Sequence, residues 1–396
     1  MYERGKSISE LFCISEISGS DTFVKIEPIN KGFSRDKKYY IETADGRRML
    51  LRVTDISELD RKKAEYKMME RAYAFGVLTP RLLDFGLCNC GRVCYSLLIW
   101  FDGEDVEAVL PRMSESEQYG LGIKAGELLR RLHSLSAPAD AEPWGMRFRR
   151  KIQDQTDFFS RNPIQSESGD ILLHYLLDNQ TLLDGRPQTF NQGDFHPSNL
   201  ILTHDGKVGV IDYNPHFLDH GDPWWEFRSC SWGVESNAHF YTGRIVGYFN
   251  GDPPLDFFKM QAYYDAYSGL STLRAASGEQ REPEEGRRHL ENVLRWFDNM
   301  QSPIPTWYLK DFYIQWIDGV PYKLEAPFDF SFISKYGKVF KAFDEQGSGN
   351  ISFGMKNGDM KYFIKFAGAP KPNYISNRDS GAVDAARKAC NGVLQN

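Results

Sequence analysis

Two short apolar runs and three oxygen-bearing side chains restrict this chain more than any other feature. In TFNQGDFHPSNLIL, residues 189–202, Asp194 follows a glycine and Asn199 stands five residues after it, just before Leu200-Ile201-Leu202. A turn signal at Asp205-Gly206 and a second run from Val208 lead to Asp212, thirteen residues beyond Asn199. Apolar runs flanking an Asp-Gly turn read as the strands of a hairpin, Leu200–Leu202 with Val208–Tyr213. That hairpin would return Asp212 to the side of Asn199. Taken alone, Asp194 reads as a turn or helix-cap residue. Its match to Asn199 and Asp212 reverses that reading.

The elements on either side support a divided architecture. From about Asp21 to Phe101 the pattern is strand-like. YYIET and RMLLRVTD are joined at Asp45-Gly46, and Leu82–Gly86 and Val93–Trp100 follow as two more strands. A single helix interrupts them, with Ser57 and Asp60 as its expected start and Gly76 as its stop. After Glu104 the chain turns mainly helical. Leu121, Ala125, Leu128, Leu129 and Leu132 recur at helical spacing within Ser114–Leu135, marking one buried face. Lys151–Leu183 reads as helical with a break at Asn162-Pro163, and Pro223 to about Met300 is helical again. Pro303 and Pro305 mark the expected boundary.

Phosphoryl transfer from a nucleotide needs a carboxylate to take the acceptor hydroxyl proton, two groups to hold Mg²⁺ and a cation near the phosphates. An aspartate with an asparagine at +5 is the spacing of a kinase catalytic loop, and a second aspartate on the next hairpin shares the metal. GDFHPSNLI, GVIDYN and DHGDPWWEF together resemble the aminoglycoside phosphotransferase family, small-molecule kinases that are also similar to choline kinases. The resemblance covers roughly residues 20–305. It implies an α+β, bilobal protein-kinase-like fold, with a β-rich N-lobe over about 1–101 and a helical C-lobe over about 102–305.

What the resemblance implies for single residues follows from matching positions. Asp194 would be the catalytic base. Asn199 and Asp212 would ligate Mg²⁺. Arg52 sits where the family's phosphate-contacting lysine is usually found, and Glu65 on the next helix would be its partner. The loop Asn30–Arg35, with Gly32 and Ser34, would cover the phosphates of ATP or GTP. Ile99 and Phe101, in LLIWFDGED, would offer backbone groups to the purine. The acceptor would be a hydroxyl of a small molecule, an aminoglycoside or amino alcohol among the classes that fit, and antibiotic resistance is the role such an acceptor would imply.

Several positions depart from the family pattern. An arginine replaces the lysine, and a planar guanidinium is not equivalent to a point charge. The phosphate loop holds one glycine, which limits backbone cradling. Gln192 stands where histidine is often found, and Tyr-Asn follows Asp212 in place of Phe-Gly. His196 is expected to be a structural residue bonded to backbone. Glu65, without its register to Arg52, would be one acid on a charged helix face beside Lys62, Lys63 and Lys67. Asp222 is expected to cap a helix start, Asp219 has no assigned part, and Trp224 and Trp225 are expected in the core. A nucleotide-binding regulatory pseudokinase is the rival reading, favoured by Arg52 and the glycine-poor loop. A protein kinase is less consistent, because the Asp-Phe-Gly and Ala-Pro-Glu landmarks are missing from the first 305 residues.

Composition limits the partners. A net charge of −6 argues against a general nucleic-acid binder, which needs a basic face. Charge is uneven: residues 306–396 hold 12 Lys and Arg against 9 Asp and Glu, or +3, while the first 305 hold 36 against 45, or −9. The longest apolar run, Tyr95–Phe101, is too short to cross a bilayer, and Met1–Glu10 lacks an apolar signal segment, so a cytoplasmic location is expected. Six cysteines are too few for a disulfide framework. Cys88, Cys90 and Cys94 cluster around a turn without a fourth zinc ligand nearby, so reduced thiols on a hairpin are expected.

The last ninety residues read as a second, smaller unit, 306–396. VFKAFDEQGSGNISFGMKNGDMKYFIKF is similar to the covering loop and lysine strand of a protein-kinase small lobe. Lys365 is its candidate lysine, and Ser352 stands in place of the third loop glycine. The helix expected over Gly381–Leu394 carries no glutamate, and no second catalytic loop follows in this sequence. This segment is therefore expected not to transfer phosphate alone.

Overall fold

The computed structural model describes residues 14–30, 36–162, 167–215, 220–231, 233–277, 283–310, 312, 314–324, 328–345 and 350–366. Gly32 and Ser34, Asp219, and the helix expected over Gly381–Leu394 lie outside these residues. By contacts the chain divides into two units. The first comprises residues 1–108, 128–232 and 255–303; the second comprises 109–127, 233–254 and 304–396.

The first unit opens with an antiparallel five-stranded sheet. Its strands are β1 (Phe23–Ile29), β2 (Lys37–Thr43), β3 (Arg48–Asp55), β4 (Leu82–Cys88) and β5 (Val93–Ile99), in the order β1-β2-β3-β5-β4. The alternation in β2 puts Tyr39, Ile41 and Thr43 inward. β3 is central and buried along most of its length, as expected for a strand covered on both faces. Tyr39, Ile41, Met49, Leu51, Val53, Tyr95 and Leu97 make the apolar core of one face.

Helix α1 (Leu59–Ala74) carries Tyr66, whose ring lies 5.3 Å from Phe85 of β4 and whose hydroxyl bonds Ser96 of β5. Its start differs from expectation. The capping group is Asp55, which accepts from the Ser57 amide at 3.0 Å, and a short 3₁₀ turn, Ile56–Glu58, precedes the helix. Asp55 ends β3 in extended conformation, so its carboxylate reaches the amide two residues on. Gly76 closes the helix as expected, in left-handed conformation with φ 77°.

The helical part follows β5. β6 (Glu104–Asp105) and the short α2 (Val106–Val109) precede α3 (Glu115–Leu132). A reciprocal capping box starts α3: the Glu117 amide donates to Ser114 Oγ at 3.3 Å, and the Ser114 amide to Glu117 Oε2 at 2.9 Å. Leu121, Ala125, Leu129 and Leu132 are buried, while Leu128 is only half-buried. α4 (Trp144–Arg161) begins before the expected Lys151, because Trp144 and Phe148 continue its buried face. α5 (Glu167–Asp178) follows the break expected near Asn162.

β7 (Thr189–Phe190) leads into the loop that carries Asp194, and β8 (Leu200–Leu202) pairs with β9 (Val208–Val210) in the expected hairpin. β9 stops short of Tyr213 because Asp212 turns left-handed, with φ 51°. β10 (His220–Gly221) pairs with β7. The helices α6 (Ala238–Phe249), α7 (Leu255–Ser277) and α8 (Pro283–Trp296) complete the helical pattern. No helix among the described residues is long and apolar enough to cross a membrane.

The second unit holds two further sheets. β11 (Ile314–Ile317) and β12 (Val320–Lys323) form a hairpin, and β13 (Lys338–Phe343), β14 (Ile351–Asn357) and β15 (Met360–Phe366) form a meander turning at Asn357-Gly358. Their core is aromatic and aliphatic, built on Tyr322, Phe330, Ile333, Val339, Phe353 and Met355. Lys365 of β15 is exposed. In the same unit the Phe312 ring lies 5.0 Å from Tyr119 and 4.7 Å from His239.

Candidate functional site

Local chain geometry assembles the Asp194 loop first. A 3₁₀ turn at Pro197–Asn199 folds Asn199 back, so its Nδ2 donates to Asp194 O at 2.9 Å and to Asp194 Oδ2 at 3.2 Å. His196 was expected to bond backbone. Instead its Nε2 lies 3.2 Å from Asp194 Oδ2, because the same turn places the imidazole beside the carboxylate. Asp194 keeps a 40 % exposed side chain.

Gln192 ties this loop to the end of the hairpin that carries Asp212. It is fully buried; its Oε1 accepts from the Asp194 amide at 2.7 Å, and its Nε2 donates to Ile211 O at 3.0 Å and Asp212 O at 2.8 Å. One carboxamide thus fixes both aspartates to a common frame. Glu226 supports it from below, accepting from the Gln192 and Gly193 amides at 2.8 and 2.7 Å. Burial pushes the Glu226 carboxyl up, but His133, Arg228 and the Gln192 amide outweigh it and hold it below the usual carboxylate range. Arg228 donates to Gly193 O at 2.6 Å. Asp222 accepts from the Trp224 amide at 2.8 Å as the expected cap, and also takes Arg186 and the Tyr264 hydroxyl. The sequence marks Gln192 only as a departure from the family's usual histidine and gives Glu226 no part.

A buried ionic cluster stands across from the loop. Arg52 Nη1 donates to Glu65 Oε1 at 2.7 Å and to Asp212 Oδ1 at 2.8 Å. Arg52 Nε and Nη2 lie 2.9 and 2.7 Å from Asp36 Oδ2. The expected pairing of Arg52 with Glu65 is therefore present, joined by two carboxylates not anticipated as its partners. Lys62 departs from its expected place on a solvated face. It is 2 % exposed, and its Nζ lies 2.6 Å from Asp36 Oδ2 and 2.8 Å from Glu65 Oε2. Lys63 and Lys67 are the exposed pair. Burial pushes the Asp36 carboxyl up, but Arg52 and Lys62 hold it below its ordinary value; Asp212 is held down likewise, chiefly by Arg52.

The backbone of the LLIWFDGED segment is partly engaged already. The Ile99 amide donates to Arg81 O at 2.8 Å, so that backbone donor is already engaged within the sheet. The Phe101 ring packs on Gly209, where a Cβ would stand 2.2 Å from the ring, an approach only glycine permits. Two oxygen donors fit a magnesium ion, which needs few protein ligands when phosphates supply the rest. Asn199 uses Nδ2 on Asp194 and so presents Oδ1; Asp212 has one oxygen on Arg52 and a side chain 38 % exposed. Cys88, Cys90 and Cys94 are free thiols, and no group of three or more His, Cys, Asp or Glu able to hold a metal is found among the described residues.

The sequence profile of the phosphotransferase enzyme family, APH, matches residues 25–258, more than half of the chain. This chain belongs to the APH phosphotransferase family. No curated protein sequence matches it. Solved structures share the fold. The GDP complex of an aminoglycoside 2'-phosphotransferase IIIa variant aligns with TM-score 0.53 and 14 % identity, over 73 % of this chain and 97 % of its own. The ADP-bound aminoglycoside phosphotransferase APH(2'')-Ib gives 0.51 and 14 %, over 71 % and 94 %. A choline/ethanolamine kinase family protein from Mesorhizobium loti gives 0.50 and 15 %, over 73 % and 95 %. The fold of the APH chain is thus the bilobal protein-kinase-like one, with additional β-sheets at its C-terminal end.

Proposed function

We propose that this APH-family chain transfers the γ-phosphoryl group of ATP or GTP to a hydroxyl of a small molecule, with Asp194 as the base. The observation that carries the reading is the convergence of Asp194, Asn199 and Asp212 on one frame with the Arg52–Glu65 pair. Asp194 would accept the acceptor's proton, and Asn199 Nδ2 would hold that carboxylate in place. Asn199 Oδ1 and Asp212 would hold Mg²⁺, which when bound neutralises charge on the phosphate oxygens. Arg52 would steady the phosphates, and the Ile99 and Phe101 backbone would face the base, with Gly32 and Ser34 in the covering loop. Relatives of this fold are described bound to ADP and to GDP, which supports either donor. Aminoglycoside and choline or ethanolamine kinases among them support an amino sugar or amino alcohol as acceptor class. The kinase domain in this reading is residues 1–305, and 306–396 is a partial small-lobe-like appendage.

One observation favours a second reading, a pseudokinase that binds nucleotide without transfer. The carboxylates around Arg52 leave it at most one of its five N–H groups for a phosphate. Magnesium-dependent turnover of ATP and GTP against amino sugars, amino alcohols and sugars decides between them. Asp194→Asn is expected to lower transfer by a factor of about 10² or more while nucleotide still binds. Nucleotide binding without phosphorylation of any acceptor supports the second reading. Unchanged turnover in Asp194→Asn removes Asp194 from the chemistry.

A further inference from the structure

The cluster around Arg52 holds two cations, Arg52 and Lys62, against three carboxylates, Asp36, Glu65 and Asp212. The groups differ in exposure. Asp36, Glu65, Arg52 and Lys62 have side chains 1, 6, 8 and 2 % exposed, whereas Asp212 is 38 % exposed. Without Asp212 the four buried groups balance, two against two. Asp212 is the surplus carboxylate, and it is the one facing the site. Arg61 approaches the cluster at 3.8 Å from Glu65 and 4.0 Å from Asp36, but it stays partly exposed and is bonded to Glu58.

We propose that Lys62 is a positioning residue for nucleotide binding: it neutralises Asp36 and Glu65 so that Arg52 can release Asp212 and turn toward a phosphate. The inference rests on the phosphotransferase reading above. A buried charge left without a partner costs far more than an exposed one. If Arg52 alone served Asp36 and Glu65, both carboxylates would lose compensation when it turned. Lys62 Nζ touches both, at 2.6 and 2.8 Å, so the pair stays compensated while Arg52 Nη1 exchanges Asp212 for a phosphate oxygen. Asp36 Oδ1 is buried without a hydrogen bond among the described residues, so within them its carboxylate is bonded through the single oxygen that Arg52 and Lys62 share. Lys62 thereby explains how an arginine with almost every donor engaged can stand at this strand position.

Equilibrium binding of ADP and of GDP with magnesium, measured by calorimetry on the full chain, tests this. Lys62→Gln is expected to weaken nucleotide binding at least tenfold in folded protein. Adding Asp36→Asn to that variant leaves Arg52 against Glu65 in the interior, again balanced, and is expected to restore binding to within about threefold of wild type. A purely structural lysine would give no such recovery of affinity when a second cluster member is removed. A folded Lys62→Gln that binds as wild type does, or a folded double variant that binds no nucleotide, overturns the inference. If Lys62→Gln fails to fold, the double variant alone carries the comparison with wild type. Wild type that binds neither nucleotide overturns the phosphotransferase reading itself, which separates the two failures.

Discussion

Gln192 shows how much of this site depends on one carboxamide. Three backbone groups of the Asp194 loop and the Asp212 strand take their hydrogen bonds from its fully buried side chain. In Gln192→Ala the Asp194 amide and the Ile211 and Asp212 carbonyls lose that partner. Each buried group left unpaired costs about 1–3 kcal/mol. The variant should unfold at lower denaturant and, where folded, show turnover reduced about tenfold or more with a smaller change in nucleotide affinity. Equal turnover in the two proteins would remove Gln192 from the positioning of Asp194. Sequence marked this residue only as a departure from the family's usual histidine. Asp194, Asn199 and Asp212 were legible because their spacing along one loop and one hairpin fixes their neighbourhood. Asp36 and Lys62 were not, since nothing local distinguishes them from exposed charges.

At the scale of elements, the crossing of α3 and α6 rests on glycines. A Cβ on Gly122 of α3 would stand 2.1 Å from Phe240 O, and one on Gly243 of α6 would stand 2.1 Å from Tyr119 O. Gly126 and Gly247 repeat the relation one turn on, at 2.0 Å from Arg244 O and 2.2 Å from Ile123 O. The obstructing atoms are backbone, which cannot rotate away, so the helices touch main chain to main chain. Gly122→Ala would gain about 1 kcal/mol of helix propensity. The forced separation should outweigh it and destabilise the protein by about 1–3 kcal/mol or more, read as a lower thermal or chemical midpoint. A variant as stable as wild type would show that this crossing can open at no cost. The periodicity of Leu121, Ala125, Leu129 and Leu132 marks the buried face of α3. It carries no information about which glycines meet another helix.

At the scale of the whole molecule, the segment after Pro303 is built into the second unit. The Leu309 amide donates to Thr242 Oγ1 at 3.2 Å, Lys323 Nζ lies 3.0 Å from Glu115 Oε2, and Ser116 bonds Asp344. Gly120 leaves room for Trp316 and Pro321, each with an atom 2.9 Å from where its Cβ would be. Truncation after Pro303 uncovers Tyr119, Gly120 and His239. The shortened protein should melt about 5 °C or more below the full chain and lose solubility. Unchanged melting and solubility would make residues 306–396 an independent appendage. The charge shift and the prolines of the sequence mark where this segment begins. They do not reveal that α3 and α6 carry its contacts, because those contacts join positions from 67 to 228 residues apart.

The sequence by itself determined the family, the alternation of one strand-rich and one helical region, and the placement of Asp194, Asn199 and Asp212. Those follow from local periodicity, turn chemistry and spacing, which act over a few to twenty residues. The tertiary structure alone decided which charges are buried. Lys62 and Lys63 are adjacent lysines on one helix, yet one is enclosed with Asp36 and Glu65 while the other faces water. The difference is set by what packs against each face, and the cost of desolvating a charge is met only where distant carboxylates converge on it.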